Sequence, residues 1–135
     1  MIDFNLTNEQ SKLQKTARDF AQKEIRPLVE QIDQQDFSQC SPWNVLKGMY
    51  KKAAQLGFTT MMIPEVYGGG GMGCLEHVLV EEEIAAVDLG VAASYFNISN
   101  TAPMLIVNGG SETQKGQWLR EITAAQGFLL ASAGN

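Results

Sequence analysis

Four consecutive glycines, Gly68 to Gly71, follow a short β-leaning run, Phe58 to Ile63, that stops at Pro64. This junction constrains the fold more than any other stretch. A glycine cluster of this kind is either a phosphate-binding loop or a turn between packed elements. Gly68, Gly70 and Gly73 satisfy the G-x-G-x-x-G spacing that sets dinucleotide phosphates on a helix N-terminus. The pattern has that meaning only inside a βαβ unit, where a parallel sheet places the loop at a strand's end. Here both flanks are helical in period and no second parallel strand returns. The glycines therefore read as a flexible turn.

The flanks set out a helical bundle. Thr7 and Gln10 have capping-box spacing, and Leu13, Ala17, Phe20, Ala21, Leu28 and Ile32 recur at threes and fours behind them. Pro27 lacks an amide and clashes with the preceding turn, so a kink or break is expected near Arg26. Ser41-Pro42 is a second start, with Leu46, Met49, Tyr50, Ala53 and Leu56 as the buried face and Gly57 as the stop. A third helix is expected from about Leu75 to Val87, with Leu75, Val78, Leu79 and Ala86 inward. Glu81, Glu82 and Glu83 fall within it, two of the three on a solvated face.

Asp88 caps a fourth helix through Ala92, Ala93, Tyr95 and Phe96, its end blurred by Asn97, Ser99, Asn100 and Pro103. Met104 to Val107 is too apolar for solvent and supplies the last turns before Asn108-Gly109-Gly110. Ser111, with Gln114 in the capping-box position, opens a fifth helix that turns Trp118, Leu119 and Ile122 inward. In the chain alone, Trp118 and the Met104–Val107 run are left partly uncovered, and exposed apolar surface favours self-association. Phe128 to Ala133 reads as a strand. A terminal strand needs partners for its backbone groups, so residues 1–127 read as a helical domain and 128–135 as the start of a truncated β-domain.

Composition removes several function classes. The chain has 135 residues and a net charge of −5, without a basic stripe to neutralise nucleic-acid phosphates. Cys40 and Cys74 stand far apart beside one histidine, so zinc spacing is absent and a disulfide framework is not expected. Two isolated thiols fit a reducing compartment. The N-terminus lacks a targeting pattern, and no run approaches the ~18 apolar residues that span a bilayer. A cytoplasmic protein without a membrane span is the expectation.

With these elements in order, the chain resembles the N-terminal helical domain of the acyl-CoA dehydrogenase family. The resemblance begins in Phe4, Leu6-Thr7, Glu9-Gln10, Arg18, Phe20-Ala21, Glu24-Ile25, Pro27 and Asp33. It continues in Leu56-Gly57-Phe58, Pro64-Glu65-x-Tyr67-Gly68-Gly69 and Glu82-Glu83-Ile84-Ala85. It closes in Gly110-Ser111-Glu112-x-Gln114-Lys115 and Leu119. Each piece is weak alone, and their order and spacing together are specific.

The resemblance implies a flavin oxidoreductase that desaturates an acyl-CoA thioester between its α and β carbons. In such enzymes a glutamate takes the α-proton, the β-hydride moves to FAD, and an electron-accepting flavoprotein takes the electrons onward. The family's catalytic glutamate and most of its flavin contacts belong to later domains. No catalytic residue is therefore assigned here, Glu65, Glu82 and Glu83 are read as structural, and the isolated chain is not expected to retain FAD. What the resemblance assigns to this piece is one wall of the acyl cavity, with Ala92, Ala93 and Phe96 along the acyl tail and Ser132, Gly134 and Asn135 toward the flavin. Homo-oligomers are common in the family.

Three departures stand out. Many members carry an aromatic near Ser132 and a threonine where Asn135 falls, and Arg120 stands where proline is usual. The small Ala92 and Ala93 imply room for a bulky acyl group. Two other readings stay open at this point: a flavin-dependent monooxygenase or nitroalkane-oxidising enzyme on the same scaffold, and a helical interaction module without chemistry.

Overall fold

The computed structural model describes residues 5–34 and 41–124. The expected strand from residue 128, with Ser132, Gly134 and Asn135, lies outside the described residues, as does Cys40. Within them the chain is all-α, with five helical rods and no strand.

The first rod starts as read from the sequence. Thr7 Oγ1 accepts the Gln10 amide at 3.1 Å and Gln10 Oε1 accepts the Thr7 amide at 3.0 Å, opening α1 over Asn8–Phe20. Pro27 does not break the rod. A π-helical turn, Ala21–Ile25, joins α1 to α2, Arg26–Asp33. The Arg26 amide reaches the Ala21 carbonyl, five residues back, and Pro27 then enters the new first turn, where an amide is dispensable. The proline is accommodated by a change of helical register.

Helix α3, Pro42–Gln55, buries Leu46, Met49, Tyr50 and Ala53. Leu56 departs from the expected face. It caps the helix, where the chain turns away at Gly57 (φ 80°), and is 50 % exposed.

The stretch after it forms turns rather than a strand. Phe58, Met61 and Ile63 still point inward. Their backbone is satisfied from two sides. Asn100 Oδ1 accepts the Met61 amide at 2.8 Å and Asn100 Nδ2 donates to the Phe58 carbonyl at 2.8 Å. The glycine loop folds back, so that the amides of Gly70, Gly71 and Met72 donate to the carbonyls of Thr60, Ile63 and Met61. A Cβ on Gly69 would collide with the Ile63 carbonyl. Close backbone approach, not phosphate binding, accounts for the glycines.

Helix α4, Cys74–Ala85, follows. The fourth rod is α5, Leu89–Val91, a π segment, Ala92–Asn97, and α6, Ile98–Gly109, opened by Asp88 Oδ1 accepting the Val91 amide at 2.6 Å. It continues through the expected blur because its polar residues turn inward and bond back along the helix. Ser99 Oγ donates to the Tyr95 carbonyl and Asn100 Nδ2 donates to the Phe96 carbonyl. The last rod comprises α7, Glu112–Gln114, a π turn, Lys115–Leu119, and α8, Arg120–Ala124, opened by the Ser111–Gln114 capping box.

Two clusters of unequal size hold the rods. The larger joins α1, α3, α4 and the fourth rod through Ala17, Ile25, Met49, Val80, Ile84 and Phe96, among others. Its centre is aromatic: Phe20 meets Phe58 edge-on at 5.6 Å, and Phe96 meets both Phe20 and Tyr50 at 6.4 Å. Burying one such side chain contributes about 1.5–3 kcal/mol. The smaller cluster is Ile63, Leu119 and Ile122, flanked by Tyr67, Ile106 and Val107. Trp118, expected inward, is 43 % exposed, and Leu105 in the run thought too apolar for solvent is 67 % exposed. Both lie on rods with no neighbour on their outer side among the described residues.

Candidate functional site

Helix α4 decides where a site can be. Its apolar residues are spread around the helix among four glutamates, so spacing alone does not choose an inner face. The structure buries His77, Leu79, Val80 and Ile84 and leaves Leu75 and Val78 about half exposed. Ala86, also expected inward, is exposed. Of the four residues expected to point in, only Leu79 does.

The exposed side of α4 borders a groove of about 340 Å³ against the fourth rod. Val78, Glu81 and Ala85 form one bank, Asn97 and Thr101 the other, and Met62 closes one end. Its accessible lining is almost wholly apolar. Thr101 does not offer its hydroxyl freely, because Oγ1 donates to the Asn97 carbonyl at 2.8 Å. Cys74, an exposed free thiol, and His77 also border the groove. Burial pushes the His77 imidazole below its usual pKa, which favours its neutral form at pH 7.

The three consecutive glutamates of α4 have three environments. Glu82 is exposed. Arg18 binds Glu83 with both ends of its fork, at 2.7 and 2.8 Å, and these bonds hold the carboxylate below its usual range. Glu81 has no such partner. Its Oε2 is buried without a hydrogen bond, and burial raises its pKa to about 7. The expectation of two solvated glutamates therefore holds only for Glu82.

A second depression, about 450 Å³, separates the start of α1 from the glycine loop. Gln10 Nε2 donates to Glu76 Oε1 at 2.8 Å across it, and Glu76 Oε2 accepts the Gly73 amide at 3.2 Å, while the exposed Glu9 stands at its rim. No lysine or arginine lines either depression. Among the described residues no cluster of His, Cys, Asp or Glu could hold a metal ion, and no helix is long and apolar enough to cross a membrane.

The residues expected along an acyl tail divide. Ala92 and Phe96 are sealed in the larger core at 0 % and 1 % exposure, while Ala93 is exposed, four residues before Asn97. Sequence reasoning missed Glu81, Val78, Asn97 and Thr101. The available signal was the apolar surplus of α4: a helix with more apolar residues than one face can hold must present some of them outward.

Comparison with known proteins agrees with this architecture. The family model "Acyl-CoA dehydrogenase, N-terminal domain" matches residues 7–126. Mitochondrial isovaleryl-CoA dehydrogenase of Bos taurus is 36 % identical over 132 residues, which cover 96 % of this chain and 30 % of that protein. A glutaryl-coenzyme A dehydrogenase structure in complex with glutaryl-CoA superposes with a TM-score of 0.72 at 32 % identity, over 92 % of this chain and 30 % of that one. Nitroalkane oxidase shares the fold at a TM-score of 0.78 and 19 % identity, over 91 % of this chain and 28 % of that one. The chain thus spans about 30 % of the length of these relatives, and it belongs to the acyl-CoA dehydrogenase N-terminal domain family.

Proposed function

We propose that this chain is the N-terminal helical part of a flavin-dependent acyl-CoA dehydrogenase and that the groove between α4 and the fourth rod is its wall of the acyl cavity. The observation that carries this reading is the family match over residues 7–126, on a chain that carries a groove with an almost wholly apolar accessible lining. Such a groove excludes water from an acyl chain and holds it in line for the reaction. Val78, Ala85, Asn97 and Thr101 bear on the chain directly, with Ala93 extending the same wall. Phe96 and Ala92 lie in the core behind and fix its position. The size of the acyl group is then set by the groove side chains rather than by Ala92.

FAD is the redox group of this reading, and when bound it supplies the hydride acceptor. Neither depression fits it, because neither offers a cation to its pyrophosphate. The present residues are left with binding and orienting the acyl group. The family resemblance further supports an electron-accepting flavoprotein as partner, and a homo-oligomer.

The test uses the full-length gene product loaded with flavin. Anaerobic addition of acyl-CoA bleaches the flavin if the reading is right. Flavin that stays oxidised with every acyl-CoA, but is reduced by a nitroalkane, would overturn it.

A further inference from the structure

Burying one carboxylate oxygen without a donor costs about 1–3 kcal/mol, and more if the group stays charged. An apolar side chain at Glu81 would avoid that cost and suit a plain alkyl ligand better. Yet Glu81 stands in the bank of a groove whose accessible surface is almost wholly apolar, between Val78 and Ala85, with Oε2 buried and unsatisfied. The groups around it do not relieve it. His77, Cys74 and Glu82 of its own helix bring no cation to it, since burial alone shifts Glu81. The fourth rod presents neutral Asn97 and Thr101, and the turn after α3 presents Met62. Two residues along, Glu83 shows what a structural glutamate looks like in this helix: both its oxygens are bound by Arg18.

We propose that Glu81 is a specificity-determining residue and that the groove takes an acyl group bearing a hydrogen-bond donor, a hydroxyl or an ammonium, near its far end. The inference rests on the acyl-wall reading and narrows it to a substrate class. Oε2 is buried beside the groove rather than open to it, so the terminal torsion of Glu81 has to turn for that oxygen to meet a ligand. The charged carboxylate accepts from a hydroxyl or an ammonium. The protonated form, populated below about pH 7, still accepts from a hydroxyl through its carbonyl oxygen. A site built to hydrogen-bond a substrate group discriminates strongly against the analogue lacking it, because the site's own polar atom is then left unpaired.

Three thioesters of matched size separate the possibilities in the full-length flavoprotein: ω-hydroxyvaleryl-CoA, ω-aminovaleryl-CoA and hexanoyl-CoA. The wild type is expected to favour at least one donor-bearing ester over hexanoyl-CoA by about tenfold or more in kcat/KM. Glu81→Leu should invert that preference, chiefly through KM, with flavin content and melting temperature retained. Glu81→Gln keeps an acceptor and should rescue the hydroxy ester but not the amino ester. A wild type that prefers hexanoyl-CoA overturns the inference while leaving the acyl-wall reading intact. So does a Glu81→Leu variant that alters all three esters equally or loses stability at unchanged preference, which would mean that a cationic side chain elsewhere in the polypeptide pairs with Glu81. If no thioester reduces the flavin, the acyl-wall reading fails, and the inference falls with it.

Discussion

The two long faces of α4 have nearly the same share of apolar residues and opposite fates. On the inner face Val80 and Ile84 join the core shared with α1 and the fourth rod, Leu79 is buried, and Glu83 and Glu76 at its edge are matched by Arg18 and Gln10. On the outer face Leu75 and Val78 remain about half exposed, and Glu81 keeps an orphaned oxygen. One face is finished by the fold, and the other is completed only by something the described residues do not supply. Apolar surface and unpaired polarity in one groove mark a binding wall more sharply than either does alone.

The largest expected effect tests whether the inner face is core. Ile84→Ala should cost about 2–5 kcal/mol in urea unfolding, by lost burial plus the cavity left behind. Val78→Ala, on the outer face, should stay within about 0.5 kcal/mol. Equal costs would erase the distinction. Next comes the tether between the fourth rod and the turns after α3. Asn100→Ala orphans the Met61 amide and the Phe58 carbonyl, both buried, and should cost about 1–3 kcal/mol with faster hydrogen exchange at Met61.

The two glutamates should give opposite pH slopes. Glu81 keeps its proton to about pH 7 when folded and loses it near 4.5 when unfolded, so the folded chain binds more protons in that window. Stability should therefore fall as pH rises from about 4.5 to 7. Glu81→Gln should flatten that fall, worth about 1 kcal/mol once half-exposure is allowed for. Glu83 is held below its usual pKa, so its contribution is present above the ordinary carboxylate range and lost as pH falls through the depressed value. Glu83→Gln should remove that acid-side loss, the smallest effect of the set, and high salt should shrink it further. Paired titration curves of the two variants check both signs.

The elements most legible in the sequence were those with local physics. Thr7–Gln10, Asp88 and Ser111–Gln114 begin helices because their side chains bond amides within the same turn, so three or four residues suffice to recognise them. Phe58 to Ile63 was misread because its apolar residues suit a strand, whereas its pairing is set by Asn100, distant in sequence, and by the fold-back of the glycine loop. The orientation of α4 was illegible for a different reason. With apolar residues around most of its circumference, periodicity carries little information, and the partners decide. The candidate site inherited that gap: Ala92 and Phe96 lie on the inner side of the fourth rod, whereas Asn97 and Thr101 mark the side that faces the groove.

The most direct measurement fills the groove. Thr101→Trp in the full-length flavoprotein places an indole between the two banks, and Lys15→Trp on the exposed side of α1 serves as the control. The account predicts that Thr101→Trp retains flavin and fold yet raises KM for acyl-CoA by about tenfold or more, while Lys15→Trp leaves KM unchanged. An unchanged KM in a folded, flavin-loaded Thr101→Trp protein would contradict it.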